Sequence, residues 1–115
     1  MRIEIRGRNV ELTDELREHV RKRFARLERQ VFEHATLDVE LREERNPSIR
    51  DGQVCEVRLS VKGAVLTATE SSPEMLTSIK ACSEDIRRQV KRNRELRRKR
   101  WQSRRASARL RGNAA

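Results

Sequence analysis

Apolar side chains recur in this chain at two different periods, and the order in which the periods follow one another limits the fold more than any other feature. Ile3 and Ile5 alternate with Arg2, Glu4 and Arg6. Leu37, Val39 and Leu41 alternate with Asp38, Glu40 and Arg42. Cys55, Val57, Leu59 and Val61 alternate with Glu56, Arg58, Ser60 and Lys62. A repeat of two sends successive side chains to opposite faces of a strand, so each run predicts a strand with one buried face. Between the first and second runs, Leu16, Val20, Phe24, Leu27 and Val31 are spaced for the stripe of an amphipathic helix. Met75, Ile79, Cys82, Ile86 and Val90 repeat that spacing after the third.

Local signals divide these runs. Gly7-Arg8-Asn9 closes the first strand at Arg6. Thr13 is placed to cap the first helix with its hydroxyl, and Asp14 and Glu15 suit the positive end of the helix dipole. The stripe predicts an end near residues 30–32. Residues 43–53, with Asn46-Pro47 and Asp51-Gly52, read as a loop. Lys62-Gly63 predicts a tight turn into a fourth strand, Ala64 to Thr69, whose pattern does not fix which face is buried. Ser72-Pro73-Glu74 predicts the start of the second helix: a cap, Pro at the first helical position, then an acid. Its apolar stripe stops where Asn93 and Arg97 take the next inward positions. Residues 94–100 are good helix formers without Gly or Pro, so the helix is expected to leave the body. Order is expected to fail after Trp101, with residues 103–115 disordered until a partner orders them. The order β-α-β-β-β-α predicts an α+β fold, a four-stranded sheet with two helices on one face. Residues 1–93 form the domain, and 94–115 an Arg-rich helical extension and disordered tail.

Charge follows the same division. The formal net charge is +10, and 40% of residues are charged. Thirteen of the 28 Lys and Arg side chains lie from Arg87 onward, opposed by one acid, Glu95, so this segment carries +12. The preceding residues hold 15 bases against 17 acids, a net −2. Dense cations attract a polyanion through counterion release, and Arg, which predominates here, suits bidentate phosphate contacts. Val90, Leu96, Trp101 and Leu110 form no continuous stripe, which disfavours a membrane surface. No stretch approaches the roughly 18 apolar residues of a membrane span, and the amino terminus alternates charge with apolar residues, unlike a secretory leader. Cys55 and Cys82 are far apart and lack metal spacing, which fits a reducing cytoplasm. Both fall on apolar stripes and read as core fillers.

Signals for catalysis are missing. There is no nucleophile elbow, phosphate loop or zinc spacing, and no cofactor or small-molecule substrate is expected. His19 reads as a solvated helix residue, and His34 falls in the following loop. Glu43-Glu44 lies between Arg42 and Arg45 and reads as charge balance. The aromatics Phe24, Phe32 and Trp101 fall on no predicted strand, so bases are not expected to stack on the sheet. What remains is recognition of a phosphate backbone by helices. On the first helix Lys22, Arg26 and Arg29 lie opposite the apolar stripe, with Arg21 and Arg23 on its flanks. On the second, Lys80, Arg87, Arg88, Lys91 and Arg92 point away from the stripe. Side by side on one sheet face, these rows would line one groove. The competing reading is an ordinary solvated surface, with Glu18, Glu28, Glu84 and Glu95 as ion-pair partners.

The stretch from Gly7 to Arg29, Gly-Arg-Asn-Val-Glu-Leu-Thr-Asp-Glu-Leu-Arg-Glu-His-Val-Arg-Lys-Arg-Phe-Ala-Arg-Leu-Glu-Arg, resembles the start of the ribosome hibernation-promoting factors. These are also called ribosome-associated inhibitor A or sigma-54 modulation proteins. Glu74-Met75, Ile79 and Arg88-Gln89-Val90-Lys91 resemble their second helix. The resemblance covers about residues 1–94. It implies a double-stranded-RNA-binding-like fold, cytoplasmic and ribosome-associated, that occupies the mRNA channel of the 30S subunit near the tRNA sites. There it would contact 16S rRNA and inhibit translation under stress, without enzyme activity. The rRNA-facing cations it implies are Arg23, Arg26 and Arg29, then Arg88, Lys91 and Arg92. Asp85 and Arg87 depart from the pattern, where relatives tend to carry Lys and Glu. The resemblance does not reach the second, dimerising domain of the long members, and the Arg-rich residues 94–111 have no match in the familiar short ones. The alternative is a general RNA chaperone or duplex-RNA module driven by the basic tail.

Overall fold

A computed structural model describes residues 1–31, 34–46 and 50–113, with side chains through Ser107. Strand β1 spans Arg2–Arg8, helix α1 Asp14–Phe24, strand β2 Thr36–Glu43, β3 Gln53–Val61, β4 Ala64–Ser72 and helix α2 Met75–Asn113. The sheet order is β1-β2-β3-β4, with β1 parallel to β2 and the other pairs antiparallel. This is the expected α+β architecture. Phe32 and Pro47, which figured in the sequence reading, lie outside the described residues.

Alternation sets the two faces of the sheet. Leu37, Val39 and Leu41 of β2 and Cys55, Val57 and Leu59 of β3 are fully buried beneath the helices. On β4 the inward set is Leu66 and Ala68, which settles the facing that its pattern left open. Val20, Phe24 and Leu27 close the core from the first helical layer, and Ile79, Cys82, Ile86 and Val90 from the second. Burying each large apolar side chain contributes about 1.5–3 kcal/mol, which identifies this two-layer contact as the main source of stability.

The helix starts have different chemistry. Thr13 caps α1 as expected, its Oγ1 accepting from the Leu16 N–H at 3.1 Å. Ser72 does not begin α2: it is the last residue of β4, and the helix starts at Met75. Its Oγ instead accepts from the Glu74 N–H at 3.3 Å and lies 2.7 Å from Ser78 Oγ. Ser78, buried, donates to the Gln53 carbonyl at 2.6 Å and so ties the first turn of α2 to β3.

Other boundaries also differ from the sequence reading: β4 runs on from Thr69 to Ser72, and Glu43 and Gln53, expected in the loop, end β2 and begin β3. Beyond Phe24, α1 tightens into a 3-10 segment, Ala25–Arg29. With three residues per turn, Phe24 and Leu27 eclipse one another and both reach the core. Strand β1 continues through Gly7 and Arg8 because both pair with β2, opposite Leu41 and Arg42. The chain turns at Asn9, whose φ is 58°. Finally, α2 continues past Trp101 to Asn113, since residues 94–111 contain neither Gly nor Pro.

The open face of the sheet is polar and holds an ion-pair cluster. Glu40 and Glu56 stand directly opposite each other on β2 and β3, an unfavourable like-charge pair. Arg42 resolves it, reaching Glu56 at 2.6 Å, Glu40 at 3.4 Å and Glu44 at 3.2 Å. Glu44 therefore serves charge balance, as the sequence suggested.

Two substitutions test the entry into α1. A Cβ on Gly7 would lie 2.7 Å from the Val10 carbonyl oxygen and 2.9 Å from Leu12 Cγ. Gly7→Ala is expected to cost about 1–3 kcal/mol, the range for overpacking. Thr13→Ala is expected to cost about 1 kcal/mol and Thr13→Ser much less. Urea midpoints measured at unchanged slope check both.

Candidate nucleic-acid interface

Both helices cover the same face of the sheet, so the sides they turn towards each other form a groove. One part is walled by Lys22, Arg23 and Arg26 on the first helix and by Ser83, Glu84 and Arg87 on α2. The next part, about 560 Å³, is walled by Gln30, Glu84, Arg87, Arg88, Lys91 and Arg94. Arg87 borders both parts and is half-buried, whereas the other cations are exposed.

Six of the nine residues singled out from the sequence thus meet along one channel: Lys22, Arg23, Arg26, Arg87, Arg88 and Lys91. Arg29, Lys80 and Arg92 are exposed on the helices but do not wall it. Arg23, which the helical wheel puts on a flank, borders the groove. The departure at Asp85 and Arg87 has a structural reading. Gln89 Nε2 donates to Asp85 Oδ1 at 3.1 Å and to the Thr67 carbonyl on β4 at 2.7 Å. The acid is therefore tied to the β4 side while Arg87 enters the groove.

Gln30, Ser83, Glu84 and Arg94 were missed as groove residues. Arg94 lies one turn beyond Val90 and could have been found by extending the helical wheel. Ser83 could not, because it is buried with its hydroxyl donating to the Lys80 carbonyl at 2.7 Å. Among the described residues, no ion pair joins the groove cations to Glu18, Glu28, Glu84 or Glu95. The competing reading of neutralised helix surfaces loses its partners. Cations from two helices at this density repel one another and gain when an anion enters between them.

His19 departs from expectation. Rather than solvated, it is half-buried, and its Nε2 is enclosed without a hydrogen-bond partner. Burial, and then the nearby charges of Arg23 and Lys22, lower its pKa. The two cysteines do behave as core fillers: both are buried and free. The Cys82 thiol donates to the carbonyls of Cys55 and Ala68 at 3.5 and 3.4 Å. Its contact with Cys55, together with burial, pushes its pKa far up, so it stays a thiol.

Residues 3–98 match the family model described as sigma 54 modulation protein / S30EA ribosomal protein. The chain belongs to that family. Among curated relatives, a ribosome hibernation promotion factor of Deinococcus radiodurans is 32% identical over 90 residues, 76% of this chain and 46% of that protein. One from a Picosynechococcus strain is 29% identical over 96 residues, 83% of this chain and 50% of that protein. The chain thus spans about half the length of the curated relatives it matches. The crystal structure of the Thermus thermophilus Protein Y N-terminal domain superposes with a TM-score of 0.70 at 27% identity, covering 80% of this chain and 98% of that domain. A ribosomal subunit interface protein from Coxiella burnetii shares the fold with a TM-score of 0.70 at 14% identity, over 83% of this chain and 99% of its own. The family match ends at residue 98, so the S30EA fold takes in the whole groove and leaves the distal part of α2 outside it.

The lowered pKa of His19 sets a pH dependence. A folded state that holds the imidazole neutral binds fewer protons than the unfolded chain, so stability rises with pH across this titration. The contribution is complete above the unfolded value of about 6.5 and is lost as pH falls through the lower folded value. Urea midpoints between pH 8 and 5 are expected to fall less steeply in His19→Gln than in the parent. Equal slopes would remove His19 as the cause.

Proposed function

We propose that this chain is a ribosome-associated translation inhibitor, a hibernation factor of the cytoplasm. In this reading it binds the 30S subunit by laying the groove between α1 and α2 on 16S rRNA in the mRNA channel near the tRNA sites. The observation that carries the reading is the convergence of Lys22, Arg23 and Arg26 with Arg87, Arg88, Lys91 and Arg94 on one channel. That arrangement offers a phosphate backbone several charge-assisted contacts in fixed positions. The family and the names of its relatives support the ribosome as the partner. The function is one of occupancy. It involves no bond-making step, no cofactor and no small-molecule substrate. Among the described residues no helix is long and apolar enough to cross a membrane.

A second reading draws on the continuation of α2 as a cationic helix to Asn113: the extension binds RNA generally, as a chaperone would. Truncation after Arg94 separates the two. If the body carries the function, the truncated chain still co-sediments with 30S subunits and inhibits translation. If the extension carries it, both are lost.

Two results are expected for the full chain in low-salt gradients. Charge reversal at Arg26, Arg88 and Lys91 weakens co-sedimentation and flattens its salt dependence by about 0.7–0.9 slope units per lost phosphate contact. Glu84→Gln, which removes the acid from the groove, raises affinity. A parent chain that leaves equimolar 30S subunits at low salt would defeat the reading outright.

A further inference from the structure

The inward stripe of α2 does not end where the sheet ends. Met75, Ile79, Cys82, Ile86 and Val90 lie over the strands, and the same helical spacing continues through Asn93, Arg97, Trp101 and Arg104. At that point α2 faces the tip of the β3–β4 hairpin. Lys62 and Gly63 of the tip, with Arg97, Arg100, Trp101 and Arg104 of the helix, wall a recess of about 690 Å³. A Cβ on Gly63 would meet nothing within 4 Å.

Trp101 is 56% exposed, an unusual position for so large an apolar ring in a chain this polar. The Arg105 guanidinium lies over the ring, 4.6 Å from its centroid. Arg105 is not among the walls of the recess, whereas Trp101 is. Arg97, Arg100 and Arg104 have no ion-pair partner among the described residues. A flat π face thus stands among unneutralised guanidinium groups. An acidic peptide would use the cations and leave the ring idle. A lipid surface would need more apolar area than one ring provides. A nucleotide uses both, because every base has a face that stacks and every linkage carries a phosphate.

We infer that this recess binds an unpaired nucleotide of single-stranded RNA, with its base stacked on Trp101 and its phosphates met by Arg97, Arg100 and Arg104. The inference rests on the RNA-binding reading above and deepens it, since it assigns single-strand contact to a part of α2 beyond the family match at residue 98.

Trp101 is the only tryptophan and the chain has no tyrosine, so its fluorescence reports this site alone. The full chain is titrated with a short oligoadenylate and with an abasic strand of equal length and charge. The oligoadenylate is expected to quench the emission saturably, and the abasic strand is not. By anisotropy of a labelled oligoadenylate, Trp101→Leu is expected to bind roughly tenfold more weakly, while Trp101→Phe keeps most of the affinity. Circular dichroism confirms that helix content is retained in both variants. Equal quenching by the abasic strand or by an acidic peptide, or unchanged affinity in Trp101→Leu, would overturn the inference. Co-sedimentation with 30S subunits is read in parallel. Loss of quenching with intact 30S binding removes the recess and leaves the groove. Quenching without 30S binding removes the ribosomal reading and leaves the recess.

Discussion

The seating of α2 on β3 and β4 is the contact on which the rest of the molecule depends. Ile79, Cys82, Ile86 and Val90 fill the space above Val57, Leu59 and Ala68, and Ser78 and Gln89 fix the helix by hydrogen bonds to the Gln53 and Thr67 carbonyls. The apolar part supplies the energy. The two polar bonds supply register, because a carbonyl accepts from a side chain in only a narrow geometry. With α2 fixed in rotation, the direction of each later residue is fixed as well. Arg87 and Arg88 turn towards the first helical layer, and Trp101 turns towards the hairpin tip.

Electrostatics is divided between the two faces of the sheet. On the open face, opposite charges lie close enough to cancel, and Arg42 relieves the juxtaposition of Glu40 and Glu56. On the helical face, cations from two elements gather around Glu84 with no ion pair among the described residues. Exposed pairs of the first kind contribute little to stability. Their effect is to leave the helical side as the face with an uncompensated field, so that an approaching polyanion is oriented by the body before it makes any contact.

Much of this was legible in the sequence because it depends on periodicity. The strands, the apolar stripes of both helices and the cap at Thr13 follow from spacing and side-chain chemistry, and the resemblance in residues 7–29 and 74–91 named the family. What could not be read depends on tertiary contact. Ser72 looked like a cap because its hydroxyl suits one, yet β4 claims it as a strand residue and its oxygen turns to Ser78. His19 was expected in water because a helical wheel shows the face of its own helix and not what packs around it. Arg29, Lys80 and Arg92 fit the cationic rows by angle, but the groove is finite and does not extend to them. The extension of α2 beyond Trp101 shows the opposite imbalance: composition argued for disorder, while nothing local interrupts the helix.

The continuity of α2 from Met75 to Asn113 also bears on avidity. Two anion-binding regions joined by a flexible tether would search independently, and the second would act at an effective concentration set by tether length. Here the connection between Arg88 in the groove and Trp101 in the recess is helix throughout, a separation of roughly 20 Å along the axis at 1.5 Å per residue. The spacing is a ruler. If both regions take RNA as proposed, a partner that presents paired and unpaired phosphates at that separation would engage their outer ends with no tether to order. On that reading, selectivity among RNAs would depend on distance along a rigid helix as well as on base contacts.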